Sequence, residues 1–437
     1  MSYNAYVIQL KNLRKHPNAD RLQLAECFGN TVCVPLTYAK NEIGIYFPVD
    51  GQVSVEFGTQ NNLFRLKDGS GNDVGGYMEE SKRNITAIRL RGEKSDGLFL
   101  PLSCVAYTGV DLDELNIGDK ITVLNGHEIC TKYIPRTNKS NKTPKTRSVQ
   151  KAKQAVIAPL FREHADTEQL AYNLGAFKVG DYIDISLKID GTSQRTGLLP
   201  KLQGVKRTLR DKIFRRAGTP IYEWGYVDGT RRVVLDDTNL DGGFYGSNAF
   251  RTQHSEKFRG KLEKGETVYY EVVGYTDTGT PIMGECSNNK VKDKEFSKKY
   301  GKSTIFHYGC EQGASDIYVY RMTMTNEDGV VVEYTPDLVR YRCEQMGVKP
   351  VPVYWTGVIP EVEDAGDWVK NLAEQFYDGA DPIGVTHIKE GVVVRIVNRP
   401  KFAAYKYKNF HFKVLSNIIV DQVEENSDIS EDILSEM

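Results

Sequence analysis

The sequence predicts an α+β protein with antiparallel sheets, in which a small barrel of short strands precedes a larger mixed domain. Strand-like and helix-like segments do not alternate as β–α–β units, which argues against a doubly wound parallel sheet. About 120 residues at the N-terminus contain short β-branched and aromatic runs, which is typical of a small barrel. A basic segment at 132–153, with eight Lys/Arg and no acid, follows this part.

The elements follow from residue patterns along the chain. Strand composition predicts strands at 5–10, 23–28, 32–36 and 43–47 in the first part and at 182–189, 267–273, 317–320 and 392–396 in the second. A helix is predicted at 337–346, where Gly347 would end it. Another is predicted at 365–376, with Asp364 as its N-cap. The second domain is thus expected to combine antiparallel sheets with flanking helices.

The overall composition is that of an ordinary globular protein. The 437 residues contain 57 Lys+Arg and 58 Asp+Glu, which excludes a uniformly basic nucleic-acid coat but not a local basic groove. No apolar run approaches the roughly 18 residues of a membrane helix, and the start lacks a signal-peptide pattern. Seven Cys include no CxxC pair, so neither a zinc ribbon nor a disulfide framework is indicated. We expect a soluble, cytoplasmic protein in a reducing compartment.

Charge-biased segments suggest the domain boundaries. Residues 200–216 hold seven Lys/Arg and one acid, and residues 421–437 hold seven acids and no base. Such segments bury little apolar surface and are typical of linkers, exposed insertions and tails. The predicted domains are a barrel at 1–130, a basic linker at 131–152, a second domain at 153–418 and an acidic tail at 419–437.

The sharpest chemical pattern is the string KIDG at residues 188–191. Lys188 would end a strand, so its amine would be rigidly held and could act as a nucleophile if burial and neighbouring charge depress its pKa. The alternative is a hairpin turn with an exposed lysine, because the pattern KxDG, with any residue at its second position, arises by chance in roughly one chain in five to ten of this length.

Charged residues elsewhere in strand-like runs strengthen this pattern. Glu271 and Glu390 lie among apolar strand residues, where a carboxylate is costly unless it is paired or bound to a metal. Together with Asp190 they could hold Mg²⁺ or Mn²⁺, mostly through water. Lys406 and Lys408 would share one strand face and could clamp a phosphate. Structural ion pairs and a solvated edge strand remain the alternatives.

The order of these residues resembles the covalent nucleotidyltransferase superfamily, which comprises ATP- and NAD-dependent polynucleotide ligases and mRNA capping enzymes. In the order of the family's motifs, residues 188–191 (KIDG) look like motif I, Glu271 like the motif III glutamate, 318–321 (YVYR) like motif IIIa, 390–395 (EGVVVR) like motif IV and 406–408 (KYK) like motif V. The resemblance implies that Lys188 becomes covalently linked to AMP.

The resemblance also assigns nucleotide contacts. Tyr320, or secondly Tyr318, would stack on adenine, with Tyr replacing the more usual Phe. Arg231, in the strand-like run 229–235, would contact the ribose or the RNA terminus. The segment 161–174 resembles the acidic stretch before motif I. Its phosphate-binding basic residue has no clean match, and Arg162 or His164 would fill that role. The implied ATP contacts are Arg162, Arg231, Glu271, Tyr318, Tyr320, Glu390, Lys406 and Lys408, and the implied metal ligands are Asp190, Glu271 and Glu390.

The N-terminal part resembles an OB-fold. The string KHPNADRL at 15–22 is similar to tRNA-binding OB domains. Together with 46–50 and 88–101, it is similar to the group of ATP-dependent RNA ligases that place an OB domain before the ligase domain. The resemblance covers about residues 5–416, apart from the long basic linker and a stretch at 197–223 that looks like an insertion.

The resemblance therefore implies an ATP-dependent RNA ligase that joins RNA 3′-OH and 5′-phosphate ends through lysyl-AMP and adenylylated RNA. Expected partners are ATP and RNA, as nicked duplex or single-stranded ends, with no membrane; a monomer acting in RNA repair is expected. Alternatives are a capping guanylyltransferase, a DNA ligase or a non-catalytic tRNA-binding OB protein. An OB fold that precedes the catalytic domain favours the RNA ligase, because capping enzymes and most DNA ligases place theirs after it.

Overall fold

The computed structural model describes residues 3–67, 69, 73–76, 78–133, 156–214, 217–235, 245–419 and 422–423. The predicted basic linker at 131–152 and acidic tail at 419–437 lie outside the described residues, apart from a few at their edges. Within the described part of the chain, no helix is long and apolar enough to cross a membrane.

The chain forms many short strands and few helices. The strands are β1 (Ala5–Gln9), β2 (Lys11–Lys15), β3 (Leu22–Cys27), β4 (Asn30–Pro35), β5 (Ile43–Phe47), β6 (Gly51–Val53), β7 (Arg65–Lys67), β8 (Asp73–Gly75), β9 (Ala87–Leu90), β10 (Glu93–Asp96), β11 (Leu98–Pro101), β12 (Lys120–Ile121), β13 (Val123–Leu124), β14 (His127–Glu128), β15 (Cys130–Lys132), β16 (Glu168–Gln169), β17 (Tyr182–Lys188), β18 (Thr192–Lys206), β19 (Thr219–Thr230), β20 (Val234–Leu235), β21 (Glu266–Gly274), β22 (Cys286–Ser287), β23 (Ser303–Thr304), β24 (Ser315–Thr325), β25 (Val331–Glu333), β26 (Lys349–Pro350), β27 (Val353–Val358), β28 (Gly391–Ile396), β29 (Ala403–Lys408) and β30 (Gln422–Val423). The α-helices are α1 (Val55–Gln60), α2 (Leu209–Ile213), α3 (Ala249–Ser255), α4 (Lys294–Tyr300), α5 (Pro336–Met346), α6 (Ala365–Glu374) and α7 (Phe410–Leu415). Single 3₁₀ turns lie at Leu102–Thr108, Leu112–Glu114, Leu170–Tyr172, Leu174–Ala176, Glu256–Phe258 and Asn288–Lys290.

These elements confirm the predicted α+β class. All the strands and both helices predicted above are present, most of them within two residues of the expected ends. Asp364 caps α6, since its side chain accepts a hydrogen bond from the Asp367 N–H, and Gly347 ends α5 in the left-handed conformation at φ 66°. Nearly all strand pairings are antiparallel, the exceptions being three two-residue pairings, β16 with β29, β24 with β26 and β30 with β9.

Packing divides the described residues into two compact units. The first unit contains the described residues within Met1–Asn138, Asn288–Gly301 and Lys413–Met437. The second unit contains the described residues within Lys139–Ser287 and Lys302–Phe412. The first unit therefore draws on three separate stretches of the chain.

The first unit is built from small sheets, the largest ordered β11-β5-β1-β12, beside a three-stranded sheet β2-β3-β4. His16, from the KHPNADRL string, is fully buried, and its Nε2 lies 3.2 Å from the Leu90 carbonyl oxygen. Asn18 donates from its backbone N–H to His16 Nδ1 and from Nδ2 to the Arg91 carbonyl oxygen. These contacts give the string a structural role, because they attach the β2–β3 loop to the β9–β10 turn.

The second unit contains two larger sheets. One has five strands in the order β16-β29-β28-β17-β27, and the other has the order β20-β19-β18-β21-β24-β25, with β26 added to β24. A cluster of buried side chains including Ile183, Ile185 and Val394 packs behind the first sheet, and one including Phe258, Tyr270 and Val319 packs behind the second. Strand β17 belongs to the first sheet and β18, which follows after three residues, to the second.

The stretch predicted as an insertion, 197–223, forms the outer part of a long hairpin. Strands β18 and β19 pair from Gln194↔Thr230 to Lys206↔Thr219, and α2 lies in the connection between them, where residues 215 and 216 are not described. The run 229–235, expected as one strand, is instead a second hairpin. Thr230 N–H donates to the Val233 carbonyl oxygen, which closes a turn that contains Arg231 between β19 and β20.

Candidate active site

The KIDG string lies where the chain passes from one sheet of the second unit to the other. Lys188 ends β17, and Thr192 begins β18. Gly191 packs directly on β21: a Cβ at this position would lie 2.5 Å from the Val272 carbonyl oxygen and 2.8 Å from Glu271 Cγ. A larger residue would therefore push the turn away from β21, which explains why the sequence has glycine here.

Lys188 and Lys408 share one carboxylate. The register pairs Lys188 with Gly391 and Gly391 with Lys408, so three adjacent strands bring their ends together beside Glu390. Glu390 Oε1 lies 2.8 Å from Lys188 Nζ and 2.9 Å from Lys408 Nζ. The Glu390 side chain is 2% exposed, and its Oε2 is buried with no hydrogen-bond partner. We refer to these three residues as the lysine triad.

The lysine triad changes one expectation from the sequence. Burial lowers the pKa of Lys188, but the charges of Glu390, Glu271 and Asp190 and the hydrogen bond to Glu390 outweigh burial, so the pKa is raised. The condition set for nucleophilic attack, a depressed pKa, is thus not met by the protein's own side chains. Several carboxylates converge on one amine and favour its protonated form.

The other two carboxyl groups, Asp190 and Glu271, are crowded by negative charge. Burial, with repulsion from Glu390, raises the pKa of Asp190 to about 7, and burial, with repulsion from Glu390 and Asp190, raises the pKa of Glu271 to about 8. Carboxylates held in this way favour a divalent cation with oxygen ligands. The buried, unpartnered Oε2 of Glu390 is a further oxygen donor.

The fit is to a hydrated ion. Among the described residues, no three His, Cys, Asp or Glu side chains are grouped closely enough to hold a metal directly. Mg²⁺ and Mn²⁺ sites of this kind commonly retain several waters, which would bridge to Asp190, Glu271 and Glu390. These residues therefore suit an ion bound largely through water.

A cavity of about 200 Å³ opens between the two sheets beside Lys188. Its walls include Val319 and Tyr320 of β24, Val353 of β27 and Val393 of β28. Tyr320 is held by a 2.9 Å hydrogen bond between its hydroxyl and that of Ser193. A β-bulge in β24 leaves Tyr320 without an opposite residue, since Tyr269 and Tyr270 of β21 pair with Arg321 and Val319, and both Val319 and Tyr320 line the cavity.

Tyr318 lies elsewhere. It is buried opposite Glu271 in the β21–β24 pairing, and the Lys349 ammonium lies 5.7 Å from the centre of its ring. It is not among the residues that line the cavity. Of the two tyrosines considered for stacking on adenine, the cavity thus exposes Tyr320, the one that was ranked first.

The basic residues expected to contact phosphate and ribose are in different settings. Arg162 is exposed and is not among the cavity-lining residues, whereas His164 is among them and packs edge-on against Tyr320 at 4.9 Å between ring centroids. Burial and nearby cations, Arg321 foremost, lower the pKa of His164 to about 3, so its imidazole is neutral near pH 7. Arg231 lines the cavity from its turn and forms an ion pair with Asp166.

Lys406 and Lys408 share one face of β29, as predicted from alternation. Lys406 lies opposite Val393 and Lys408 opposite Gly391, and Val393 lines the cavity. Lys406 is 3% exposed, and Lys408 is half-buried with its ammonium 4.9 Å from the Phe412 ring centre. Both lysines therefore project on the cavity side of the five-stranded sheet.

A second carboxylate, Glu333, is shared by two arginines and differs from the lysine triad in its partners. Arg321 donates from Nε to Glu333 Oε2 at 2.9 Å and from Nη2 to Oε1, and Arg395 Nη2 lies 3.9 Å from Oε2. The Arg321 guanidinium is held between two aromatic rings, 4.7 Å from the centre of Tyr269 and 4.5 Å from that of Phe402. We refer to Arg321, Glu333 and Arg395 as the arginine triad.

Two site residues were missed from the sequence. Tyr308 is buried with a positive φ of 51°, and its hydroxyl accepts a 2.6 Å hydrogen bond from the Asp190 N–H. Arg251 of α3 is buried and donates to Thr192 Oγ1 at 2.6 Å and to the Ser193 carbonyl oxygen at 3.3 Å. Both residues fix the turn after Lys188. Neither belongs to a recognisable local pattern, since Tyr308 lies in a loop and Arg251 in a short helix.

Among known proteins, only solved structures match this chain. No protein-family model and no curated protein matches it. Solved structures of Naegleria gruberi RNA ligase superpose on nearly the whole chain. A complex of a variant with ATP and Mn has a TM-score of 0.57 at 15% identity, covering 95% of this chain and 99% of that one. A variant with AMP and Mn has a TM-score of 0.56 at 16% identity (93% and 96% covered), and a complex with PPi has 0.55 at 15% identity (94% and 97% covered). At this identity the likeness shows the fold, and the chain has the fold of these RNA ligases, as the five motifs predicted.

Proposed function

We propose that this chain is an ATP-dependent RNA ligase that joins RNA 3′-OH and 5′-phosphate ends through a lysyl-AMP intermediate on Lys188. The observation that supports this most directly is the place of Lys188. Its amine lies at the junction of two sheets, beside a cavity lined by Tyr320, within 2.8 Å of a carboxylate that also binds Lys408. The similar structures include RNA ligase variants in complex with ATP and Mn or with AMP and Mn, which supports ATP and a divalent cation as cofactors.

In the first step, Lys188 Nζ attacks the α-phosphorus of ATP, a P–N bond forms, and the bond to pyrophosphate breaks. The attacking nitrogen must first lose a proton, and Glu390 Oε1 at 2.8 Å is the nearest acceptor. Tyr320 would stack on adenine, and Arg231 would contact the ribose or the RNA terminus. Lys406 and Lys408 would neutralise the charge of the phosphates.

A hydrated Mg²⁺ or Mn²⁺ near Asp190, Glu271 and Glu390, when bound, withdraws charge from the phosphates and lowers the pKa of Lys188. The carboxylates around Lys188 raise its pKa, so the amine must lose a proton before it can attack. Asp190, Glu271 and Glu390 would hold such an ion, and its charge together with that of Lys406 and Lys408 would offset the carboxylates and favour loss of the Lys188 proton.

In the next two steps AMP passes to RNA and is released. An oxygen of the RNA 5′-phosphate attacks the phosphorus of lysyl-AMP and the P–N bond breaks, with return of a proton to the Lys188 amine. The RNA 3′-OH then attacks the activated 5′-phosphate, a phosphodiester forms, and AMP leaves. These transfers depend on alignment of the reacting groups more than on acid–base chemistry.

We further propose that residues 1–130 form the OB-fold and bind the RNA strand. The exposed Lys11, Arg14 and Lys15 on β2 support this role. Since residues 288–301 and those after 412 belong to the same unit, deletion of 1–130 would remove only part of it. Substitution of the three β2 cations by glutamine is therefore the better test, with weaker RNA sealing and normal lysine labelling expected. A monomeric cytoplasmic protein that acts in RNA repair completes the proposal.

The decisive experiment is labelling of the purified protein with [α-³²P]ATP. We expect the wild type to become covalently labelled and Lys188→Ala to show no label, while Lys178→Ala, which alters an exposed lysine, labels normally. Labelling of Lys188→Ala at the wild-type level would contradict the mechanism.

Substrate and nucleotide choice separate the alternatives. Labelling by GTP in place of ATP would identify a capping guanylyltransferase. Sealing of DNA 3′-OH ends but not RNA 3′-OH ends, in a matrix of RNA and DNA nicks, would identify a DNA ligase. Binding of tRNA without any labelling would leave only the non-catalytic OB protein.

A further inference from the structure

The hairpin of β18 and β19 extends far beyond the sheet that it starts from. From Thr192 to Gly197, β18 pairs with β21 on one side and β19 on the other; beyond Gly197 it pairs only with β19. Aromatic side chains of β19 fix the inner part. The Arg259 guanidinium lies 4.6 Å from the Tyr226 ring centre, and the Tyr222 hydroxyl donates to the Val156 carbonyl oxygen at 2.9 Å. We call the outer part, residues 205–214 and 217–221, the arm.

The arm exposes apolar side chains that a free surface ribbon would not need. Leu209 is 79% exposed, Ile213 72% and Phe214 66%, all in or next to α2 at the end of the arm. Val205 and Ile221 of the adjoining strands are also exposed. Thr208 and Asp211 form a reciprocal capping box, so α2 is a defined helix whose apolar side chains face solvent. Such a concentration is typical of a surface that contacts a ligand.

The charge of the hairpin shows which kind of ligand fits. The stretch 197–223 has seven Lys/Arg and two acids. Of the two acids, Asp211 caps α2, and Glu223 lies opposite Lys201 in the β18–β19 pairing. Lys206, Arg207 and Arg210 are exposed beside the apolar residues of the arm. Positive charge next to exposed apolar and aromatic groups suits a polyanion with stacked or exposed bases.

We propose that the arm binds the RNA substrate away from the ends that are joined. In this role Arg207 and Arg210 contact phosphates, and Leu209, Ile213 and Phe214 contact base or ribose surfaces. The inference rests on the proposed function in that it takes RNA as the substrate. Strand β18 has 15 residues and leaves the active site at Thr192, so the arm reaches at most about 45 Å from it, at ~3.3 Å per residue.

The test measures RNA affinity with the full chain. Lys188→Ala prevents turnover, and fluorescence anisotropy then reports the binding of two nicked RNA duplexes, one with flanks well beyond the reach of the arm and one with flanks below half of it. We expect Arg207→Gln/Arg210→Gln to weaken binding of the long duplex about tenfold or more and to reduce its salt slope by about 1.4 to 1.8. The short duplex should bind as before.

Two further variants make the result specific. Leu209→Ser/Ile213→Ser/Phe214→Ser should also weaken binding of the long duplex, but with an unchanged salt slope. Arg207→Lys/Arg210→Lys keeps both charges and should bind nearly as tightly as the parent. Thermal unfolding midpoints, measured for every variant, show that the fold is kept.

Unchanged affinity and salt slope for the long duplex in the glutamine variant would overturn the proposal and leave a protein as the partner of the arm. Equal losses on both duplexes would also overturn it, because the contact would then lie close to the junction. Failure of the wild type to be labelled by ATP would instead contradict the proposed ligase, whatever the arm variants show.

Discussion

The lysine triad and the arginine triad have the same composition of charge, one glutamate between two cations, and opposite properties. In the arginine triad both oxygens of Glu333 are bonded by Arg321, whose guanidinium is fixed between two rings. In the lysine triad one oxygen of Glu390 meets both ammonium groups and the other oxygen has no partner.

The difference shows how one domain keeps cations that hold their proton apart from cations that can release it. Arginine keeps its proton under all ordinary conditions and forms a rigid fork, whereas lysine has a pKa that its surroundings can move. The arginine triad thus holds the strands that line the cavity, and the lysine triad places a proton where it can be released. Four experiments test and sharpen this contrast.

The largest effect is expected from Lys188→Arg, which puts a guanidinium into the lysine triad. The ion pair with Glu390 can persist, but the side chain cannot supply an uncharged nucleophile. The rate of ATP-dependent labelling should fall by about a thousandfold or more, with Lys178→Arg as the control. Labelling within tenfold of the wild type would show that proton release at this position is not required.

Next comes stability, measured by urea unfolding of Glu333→Gln and Glu390→Gln. The first leaves two buried guanidiniums without a carboxylate and should cost about 3–5 kcal/mol. The second should cost less than about 2 kcal/mol, because Lys188 and Lys408 can lose a proton when the carboxylate is gone. Equal costs would remove the distinction between the two triads.

A smaller effect is expected from Tyr308→Phe, which takes the acceptor from the Asp190 N–H. An unpaired buried N–H costs about 1–3 kcal/mol, and the turn after Lys188 loses its anchor. The kcat of labelling, meaning the maximal rate constant of this single-turnover step, should fall about tenfold. The KM for ATP, meaning the ATP concentration at half of the maximal rate, should change little. Tyr354→Phe is a matched control, since the Tyr354 hydroxyl is buried without a partner. Equal losses of kcat in both variants would make Tyr308 merely structural.

The smallest effect concerns pH. Asp190 and Glu271 have pKa values of about 7 and about 8 in the folded protein, above those of unfolded carboxyl groups. Between the unfolded and the folded pKa of each group, the folded state therefore binds more protons than the unfolded state. Stability should therefore fall as pH rises from 7 to 8, by about 1–2 kcal/mol per pH unit. Buried histidines such as His164, with its pKa lowered to about 3, act with the opposite sign, mainly below the ordinary histidine pKa of about 6.5.

Thermal unfolding across the window measures this slope. Glu271→Gln should flatten it by removing one of the two titrating groups. Addition of Mg²⁺ or Mn²⁺ should also flatten it, because a bound cation favours the ionised carboxylates. A slope that does not respond to either change would show that other groups dominate the titration.

The sequence predicted those parts of the site that lie on strands in a fixed order. Lys188, Glu271, Glu390 and Lys408 each occupy a strand or its end, so residue type and order were enough to propose them. The alternation of Lys406 and Lys408 followed from the two-residue period of a strand. The architecture followed in the same way, because strand and helix patterns are local properties of the chain.

What was missed depends on distance in space. Tyr308 and Arg251 reach the motif I turn from positions that are about 120 and about 60 residues further along the chain, respectively. The direction of the Lys188 pKa depended on how many carboxylates converge on one amine, which no spacing in the sequence reveals. The place of Arg231 in a turn depended on one backbone hydrogen bond between Thr230 and Val233.

The close contact of Gly191 with β21 has a mechanical meaning. Lys188 is the last residue of β17 in one sheet and Thr192 the first residue of β18 in the other, and Gly191 between them fits directly against β21. With so short a connection, a change in the angle between the sheets would also turn the Lys188 amine. If a nucleotide drew the two sheets together, the same movement would align the nucleophile.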